Sequence, residues 1–220
     1  MSRTAAIVGG GVIGGGWAAR FLLNGWNVKL YDPDPEAERK VSEVIENARR
    51  SLPGLLDVAL PEAGELSFCH EIDATVDQAD WIQESVPEQL ELKRKIFGDI
   101  QQSAPEQAVI ASSTSGFKPS ELAKGASNPG QILVCHPFNP VYLLPLVELV
   151  AHHEQDPVVL ERSKQILTEL GMKPLLVRKE IDAHTADRLL EAVWREALWL
   201  VKDKIATTEE IDDAIQFLRW

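Results

Sequence analysis

The sequence has 220 residues, 45% of them hydrophobic, and its 22 basic and 34 acidic residues give a formal net charge of −12. This composition predicts a soluble globular chain with one good core, or a nucleotide-binding domain with part of a second domain. The negative charge argues against nucleic acid and acidic membranes as partners.

The cysteine content and the N-terminus indicate a reducing, aqueous environment. Cys69 and Cys135 are too few for a disulfide framework, and no CxxC spacing indicates zinc or a redox pair. No apolar run approaches about 18 residues, and the first residues lack the order of a signal peptide. We therefore expect a cytoplasmic protein with no metal, no targeting segment and no membrane segment.

The chain opens with a strand, a glycine-rich turn and a helix in that order. The apolar run Thr4 to Val8 is followed at once by Gly9-Gly-Gly-Val-Ile-Gly14 and then by a helix-like segment. Gly9 permits a tight turn, Gly11 lets the backbone approach a pyrophosphate, and Gly14 lets the helix pack closely on the strand. Unpaired N–H groups at the helix N-terminus would then bind the phosphates of a dinucleotide.

A second strand, Asn27 to Tyr31, ends at Asp32, which lies 21 residues beyond Gly11. A carboxylate at this position binds the adenosine ribose diol and repels a 2′-phosphate, so the sequence predicts NAD rather than NADP as the cofactor. Lys29 and Arg39 are the nearby cations that would weaken this preference, but neither directly follows Asp32.

Beyond Asp32, short β-type runs alternate with helical patterns, which is typical of βαβ crossovers. We predict an α/β fold, with a Rossmann-type, doubly wound, mostly parallel sheet in residues 1–181 and a smaller all-helical domain in residues 182–220. The further predicted strands are 66–69, 81–83, 108–111, 132–135, 146–150 and 174–177. The predicted helices are 17–23, 36–51, 88–103, 157–170 and 185–204.

The last of these helices has a wide apolar face, formed by residues 189, 190, 193, 197, 198, 200 and 201. A face this wide needs a partner, and about 38 residues are too few for an independent core. We therefore predict that the protein is a homodimer that associates through this helical region.

His136 and Glu148 form a candidate acid–base pair twelve residues apart. Oxidising an alcohol with NAD requires removal of the hydroxyl proton, and imidazole accepts a proton near neutral pH. His136 follows a buried-type strand, at the sheet edge where open α/β folds bind ligands. Glu148 on the next strand would hold the other ring nitrogen and fix the tautomer. The alternative is that neither residue has a catalytic role: His136 ends a strand and Glu148 faces solvent.

Four segments, in this order and spacing, resemble the 3-hydroxyacyl-CoA dehydrogenase family over nearly the whole chain: 9–14, 112–115, 136–140 and Glu148. The resemblance implies an NAD-binding domain, a helical dimerisation domain and a substrate cleft between them. It implies His136 as general base, Glu148 as its partner, and Ser115 and Asn139 as hydrogen-bonding groups near the reacting oxygen.

The resemblance also implies that Glu88 and Lys93 lie beside the cofactor. Without the resemblance, we would expect Glu88 to be an acidic residue at a helix N-terminus and Lys93 to be a solvated charge. Ser115 likewise has an alternative reading, as the start of a turn before Gly116.

Two departures from the family concern the substrate. Leu144-Pro145 stands where members that use acyl-CoA have a Met-Lys pair, so a cation suited to a phosphorylated carrier is missing. Asp187 stands where the family has an asparagine, and an ionised aspartate can only accept hydrogen bonds. Asp187 therefore suggests a cationic or donor-rich substrate, although it could instead cap the helix or pair with Arg188.

Residues 181–198 and 206–213 resemble the members of this family that act on L-carnitine, a 3-hydroxy acid with a fixed cation. This resemblance implies oxidation of L-carnitine to 3-dehydrocarnitine. Aromatic faces attract a quaternary ammonium, so Phe138 and Tyr142 join Asp187 as predicted substrate contacts, whereas Trp194 and Trp199 fit a core or interface better. L-Gulonate and a 3-hydroxyacyl-CoA are the alternative substrates, and a nonenzymatic NAD-binding or structural protein is the alternative class. The helical region looks shortened relative to the family, so we expect it to be incomplete.

Overall fold

The structure is a computed structural model that describes residues 3–55 and 59–217. Within these residues the chain forms one eight-stranded sheet. Its strands are β1 Thr4–Val8, β2 Asn27–Tyr31, β3 Leu66–Cys69, β4 Trp81–Glu84, β5 Val109–Ser112, β6 Ile132–Pro137, β7 Leu146–Val150 and β8 Lys173–Val177.

Helices connect most of the strands and then continue the chain after β8. They are α1 Val12–Leu23, α2 Ala37–Ser51, α3 Ile72–Val76, α4 Leu90–Ser103, α5 Pro119–Leu122, α6 Pro157–Glu169, α7 Ala186–Lys202 and α8 Thr208–Phe217. Short 3-10 turns lie at Leu52–Gly54 and Pro129–Gln131. The alternating pattern predicted the strands and helices α2, α4, α6 and α7 to within a few residues. It gave α1 only from residue 17, gave no bounds for α8, and did not predict the one-turn helices α3 and α5.

The strand order is β3-β2-β1-β4-β5-β6-β7-β8, with parallel pairing from β3 through β6. The order reverses between β1 and β4, and ligands of open α/β sheets bind in the crevice at such a point. The predicted Rossmann-type fold is therefore confirmed.

Strand β7 runs antiparallel to β6, and β8 runs parallel to β7. The chain thus turns back at the carboxyl edge through residues 138–145. This reversal places His136 directly opposite Glu148 in the β6–β7 register.

Apolar side chains fill both faces of the sheet. Trp17, Phe21 and Trp81 lie in the cluster under α1, α2 and α6, and Phe97 and Ile110 lie in the cluster on the other face. Each large side chain that is fully buried contributes roughly 1.5 to 3 kcal/mol. These two clusters fix the strand ends that carry the site.

Helices α7 and α8 differ from the sheet unit because they bury little. No residue of α7 is buried, and Trp194 is 61% exposed. The helical pattern of this region is confirmed, whereas its organisation as a separate domain and its role in dimerisation stay predictions. Among the described residues, no helix combines the length and apolarity needed to cross a bilayer.

Candidate active site

The glycine-rich turn joins β1 to α1 with little space around it. Gly9 has φ +103°, and a Cβ there would lie 2.6 Å from the carbonyl oxygen of Ser85. A Cβ on Gly14 would lie 1.8 Å from the carbonyl oxygen of Gly9, so a larger residue cannot occupy this first turn of α1. Gly11 has no atom within 4 Å of its Cβ position, which leaves the N-terminus of α1 open to a ligand.

Asp32 is held beside this turn by two backbone amides. One carboxylate oxygen accepts the N–H of Gly10 at 2.5 Å, and the other accepts the N–H of Asp34 at 2.8 Å. A hollow of about 470 Å³ opens beside Asp32, and its lining includes Phe68 and His70. The geometry fixes the carboxylate at one end of a cleft that can receive a nucleoside.

Three cations of this region are already paired with other carboxylates. The ion pairs are Lys29–Asp77, Lys40–Asp34, and Arg39 with Glu36 and Glu43. Carboxylates paired with Lys29 and Arg39, the two charges that would weaken an NAD preference, would therefore compete with a 2′-phosphate.

Glu84 at the end of β4 and Lys93 on α4 form a buried ion pair. The Lys93 Nζ donates to Glu84 at 2.8 Å and lies 3.3 Å from the Glu88 carboxylate. The second Glu84 oxygen accepts the Ser112 hydroxyl at 2.5 Å, and the Thr114 hydroxyl bonds to Glu88. Burial raises the pKa of the Glu84 carboxyl, and the Lys93 charge opposes that rise.

The reading of Lys93 as a solvated charge is wrong, because the residue is only 1% exposed. The Glu88 carboxylate is partly exposed and accepts bonds from the loop after β5, and within the described residues it forms no capping bond to α4. Sequence reasoning missed Glu84, although its place at the carboxyl end of a strand beside the switch point was a usable signal.

His136 and Glu148 face each other across the antiparallel strand pair. The His136 Nδ1 lies 3.0 Å from one oxygen of Glu148, and both residues are buried. Since a carboxylate only accepts, Nδ1 carries the proton and Nε2 keeps a lone pair. The predicted pair is therefore brought together with the geometry of an oriented base.

The second oxygen of Glu148 binds the start of α7. It accepts the backbone N–H groups of Thr185 and Ala186, each at 2.8 Å. A negative charge is favoured at a helix N-terminus, where the amides have no partner in the helix. One buried carboxylate thus orients the base and anchors the helical region, a connection that nothing in the sequence indicated.

Asp187 lies in the first turn of α7, on the other side of the imidazole. Its carboxylate oxygen is 3.9 Å from the His136 Nε2. In the part of the chain that the structure describes, Asp187 makes no hydrogen bond to the α7 amides and no ion pair with Arg188. The capping and pairing alternatives are therefore not observed, and Asp187 stands beside the Nε2 atom of His136.

The aromatic and polar candidates surround this position unevenly. The Phe138 ring centroid lies 4.9 Å from that of His136, whereas Tyr142 packs partly against the core. Ser115 and Asn139 are exposed on the loops after β5 and β6, and neither side chain forms a hydrogen bond within the described residues. The structure therefore brings Phe138 to the base, while the roles of Ser115, Asn139 and Tyr142 stay predictions.

Two further histidines are buried. His184 lies next to His136, with ring centroids 5.5 Å apart, and sequence reasoning had no signal for it. His152 is also buried and bonds to the carbonyl of Pro129 at 3.0 Å, beyond the far end of β7. Its neighbour His153 is exposed.

Comparisons with known proteins agree with this geometry. The family described as "3-hydroxyacyl-CoA dehydrogenase, NAD binding domain" matches residues 4–181. Over 220 residues the chain is 66% identical to the L-carnitine dehydrogenase/betainyl-CoA thioesterase of Ruegeria pomeroyi, covering 99% of this chain and 45% of that protein. It is 52% identical to the L-carnitine dehydrogenase of Mesorhizobium japonicum, covering 98% of this chain and 60% of that protein.

A solved structure is also similar over the whole chain. It is an NAD⁺-dependent 5-formyl-3-hydroxy-2-methylpyridine 4-carboxylic acid 5-dehydrogenase, with a TM-score of 0.89 and 30% identity over 99% of this chain and 71% of that one. The chain spans about half the length of the two curated relatives above.

Proposed function

The chain belongs to the 3-hydroxyacyl-CoA dehydrogenase family, and from that premise we propose that the protein oxidises L-carnitine to 3-dehydrocarnitine with NAD. The secondary alcohol becomes a ketone, NAD⁺ becomes NADH, and one proton is released. When bound, NAD supplies the acceptor for the hydride that leaves the carbinol carbon.

The observation that carries this proposal is the His136–Glu148 pair. The Nδ1–H···carboxylate bond of 3.0 Å leaves the Nε2 lone pair available for the hydroxyl proton of the substrate. As the imidazole becomes charged, the buried carboxylate stabilises the imidazolium. Such a positioned base contributes on the order of 10² to 10⁴ in rate.

The residues of the glycine-rich turn fit a dinucleotide. The open position above Gly11 leaves room for a pyrophosphate at the N-terminus of α1, and Asp32 would accept the ribose hydroxyls. Pairing of Lys29 and Arg39 with carboxylates supports NAD over NADP. Glu88, held by Thr114 and Lys93 at the crevice, would face the cofactor.

The charge beside the base supports a cationic substrate. Asp187 would attract the trimethylammonium group, and the Phe138 ring would add a cation–π contact of roughly 0.5 to 2 kcal/mol. We also propose that Ser115 and Asn139 hydrogen-bond the developing carbonyl oxygen and that Tyr142 contacts the substrate. The curated relatives named as L-carnitine dehydrogenases support the same substrate.

The alternative substrates fit less well. L-Gulonate has no cation for Asp187, and a 3-hydroxyacyl-CoA would find Leu144-Pro145 instead of a basic residue. A nonenzymatic NAD-binding role would leave unexplained a buried base with one open nitrogen. We further propose that the protein is cytoplasmic, and that it is a homodimer, the latter supported by the exposed apolar side chains of α7.

The test is NADH absorbance after L-carnitine, L-gulonate or 3-hydroxybutyryl-CoA is added separately to the purified protein with NAD. We expect NADH only with L-carnitine, or at least tenfold faster, because Asp187 pairs with its cation. Faster turnover of either other substrate overturns the substrate assignment. The Asp187→Asn variant sharpens the test: it should raise KM for L-carnitine while sparing NAD affinity.

A further inference from the structure

His184 is a buried imidazole that the proposed mechanism does not use. It lies just before α7, with none of its surface exposed, and it packs against the ring of the base. Ala183 and His184 have φ values of 57° and 48°, in the left-handed region that non-glycine residues avoid. Consecutive residues held in this conformation are a local strain that often marks a functional site.

The two nitrogens of His184 have different surroundings. Nε2 lies 3.4 Å from the carbonyl oxygen of Thr114, a long hydrogen bond. Because a carbonyl only accepts, Nε2 carries the proton of the neutral ring and Nδ1 is left as a bare acceptor. Nδ1 is buried with no hydrogen-bond partner among the described residues.

Charged or titratable groups face His184 from three packed elements. His136 approaches from β6, Glu148 from β7, and Asp187 from the first turn of α7. Protonation of His184 would put a cation beside His136 and would create a new N–H at Nδ1, where the structure offers no acceptor. The Glu148 carboxylate is already bonded to the Nδ1 atom of His136, and the Asp187 carboxylate lies 3.9 Å from the Nε2 atom of His136.

We propose that His184 is a positioning residue that acts through His136 and must be neutral for the reaction to proceed. This inference rests on the proposed function, with His136 as the base. The neutral ring holds one side of the His136 ring and also holds the residues that deliver the Thr185 and Ala186 amides to Glu148. A charged His184 would oppose the imidazolium that His136 must become.

The electrostatics of the site agree with a neutral ring. Burial lowers the pKa of His184, and the neighbouring His136 lowers it further, against the smaller opposing influence of Thr114, Glu148 and Asp187. The pKa of His184 therefore lies below the ordinary histidine value of 6.5, so protonation of His184 affects the reaction only at acid pH.

The experiment is the pH profile of kcat/KM for L-carnitine oxidation, with circular dichroism at each pH to confirm the fold. Loss of one required neutral group reduces kcat/KM about tenfold per pH unit, and loss of two reduces it about a hundredfold per unit. In the unmodified protein, we expect the acid limb to steepen below pH 6.5, from about tenfold to about a hundredfold per pH unit.

The variants His184→Gln and His184→Phe remove the second titration while keeping a side chain of similar bulk. Both should show an acid limb of about tenfold per unit throughout. His152→Gln is the matched control, because it removes another buried histidine bonded to a carbonyl, beyond the opposite end of β7. Its acid limb should steepen as in the unmodified protein.

An acid limb of constant tenfold slope in the unmodified protein overturns the inference without any variant. A steep limb that persists in His184→Gln overturns it as well. Failure of the proposed function looks different: His136→Gln would then retain turnover, or L-carnitine would not be oxidised at all. An acid limb of about tenfold per unit in His184→Gln, together with an inactive His136→Gln, supports both the proposed function and the role of His184.

Discussion

Two buried acid–base pairs lie at the same edge of the sheet, and they differ in how many of their polar atoms have a partner. We call a pair closed when every polar side-chain atom of both residues has a hydrogen-bond partner. In the Glu84–Lys93 pair, the ammonium has three oxygen neighbours and the carboxylate binds a hydroxyl and a backbone amide as well. In the His136–Glu148 pair, the carboxylate is fully engaged, but one imidazole nitrogen has no hydrogen-bond partner among the described residues and lies 3.9 Å from Asp187.

The difference separates a pair that maintains structure from a pair that can perform chemistry. A closed pair of opposite charges is costly to disturb, because removing one partner leaves the other buried and uncompensated. An oriented base with an open lone pair can exchange a proton without disturbing its partner. Substitutions in the two pairs should therefore change different quantities.

The largest expected effect is on turnover when the open nitrogen is removed. His136→Gln should reduce kcat by about 10² to 10⁴, because the hydroxyl proton loses its acceptor. NAD affinity, measured by isothermal titration, should change little because the glycine-rich turn lies on β1 and α1. Unchanged turnover would remove His136 from the mechanism.

Glu148→Gln should weaken both functions of that carboxylate. Its amide cannot keep accepting from the His136 ring and from two helix amides without presenting a donor to one side. We expect kcat to fall by about 10² or more and hydrogen exchange at Thr185 and Ala186 to accelerate. A loss of turnover with unchanged exchange would show that the anchor at α7 is independent of the base.

Lys93→Met tests the closed pair through stability. Stranding the Glu84 carboxylate should reduce the free energy of unfolding by about 3 to 5 kcal/mol, as measured by urea denaturation. Adding Glu84→Gln should recover part of that loss, since the buried charge is then gone.

The matched control for this comparison is Lys29→Met, which breaks the partly exposed pair with Asp77. Surface pairs contribute about 0 to 1 kcal/mol. Equal losses in Lys93→Met and Lys29→Met would contradict the distinction between a buried and an exposed pair.

The smallest expected effect is a pH dependence of stability from His184. Its pKa is lowered in the folded state, so the unfolded chain binds more protons as the pH falls below 6.5, and stability declines on that side. His184→Gln should flatten the decline in urea denaturation series between neutral and acid pH. An identical slope in both proteins would show that other groups govern acid unfolding.

Local patterns in the sequence predicted much of this architecture. Alternation of short β-type runs with amphipathic helices located β1, β2, β3 and β7 to the residue. The glycine spacing and Asp32 predicted the nucleotide turn because that geometry depends on neighbouring residues. The His136–Glu148 pair was predictable because His136 directly follows one predicted strand and Glu148 lies on the next one.

Three features of the site could not be predicted, because they depend on contacts and backbone conformations that arise only in the folded chain. Glu84 and Lys93 meet across the loop after β4, and only their burial distinguishes a closed ion pair from two surface charges. The anchor between Glu148 and α7 joins residues 37 and 38 positions apart through backbone amides, which carry no sequence signal. The inward position of His184 depends on two left-handed residues that are not glycine.

The reversal of β7 has a consequence for how substrate preference can diversify. Acid and base are aligned by the ladder between two adjacent strands, and not by residues 138–145 that join them. The exposed positions of that connection can therefore exchange side chains without moving His136 or Glu148, whereas Val141 is buried in the core. Under the proposed function, a different alcohol would be accommodated by changes at these exposed positions, while the strand ladder keeps the base in place.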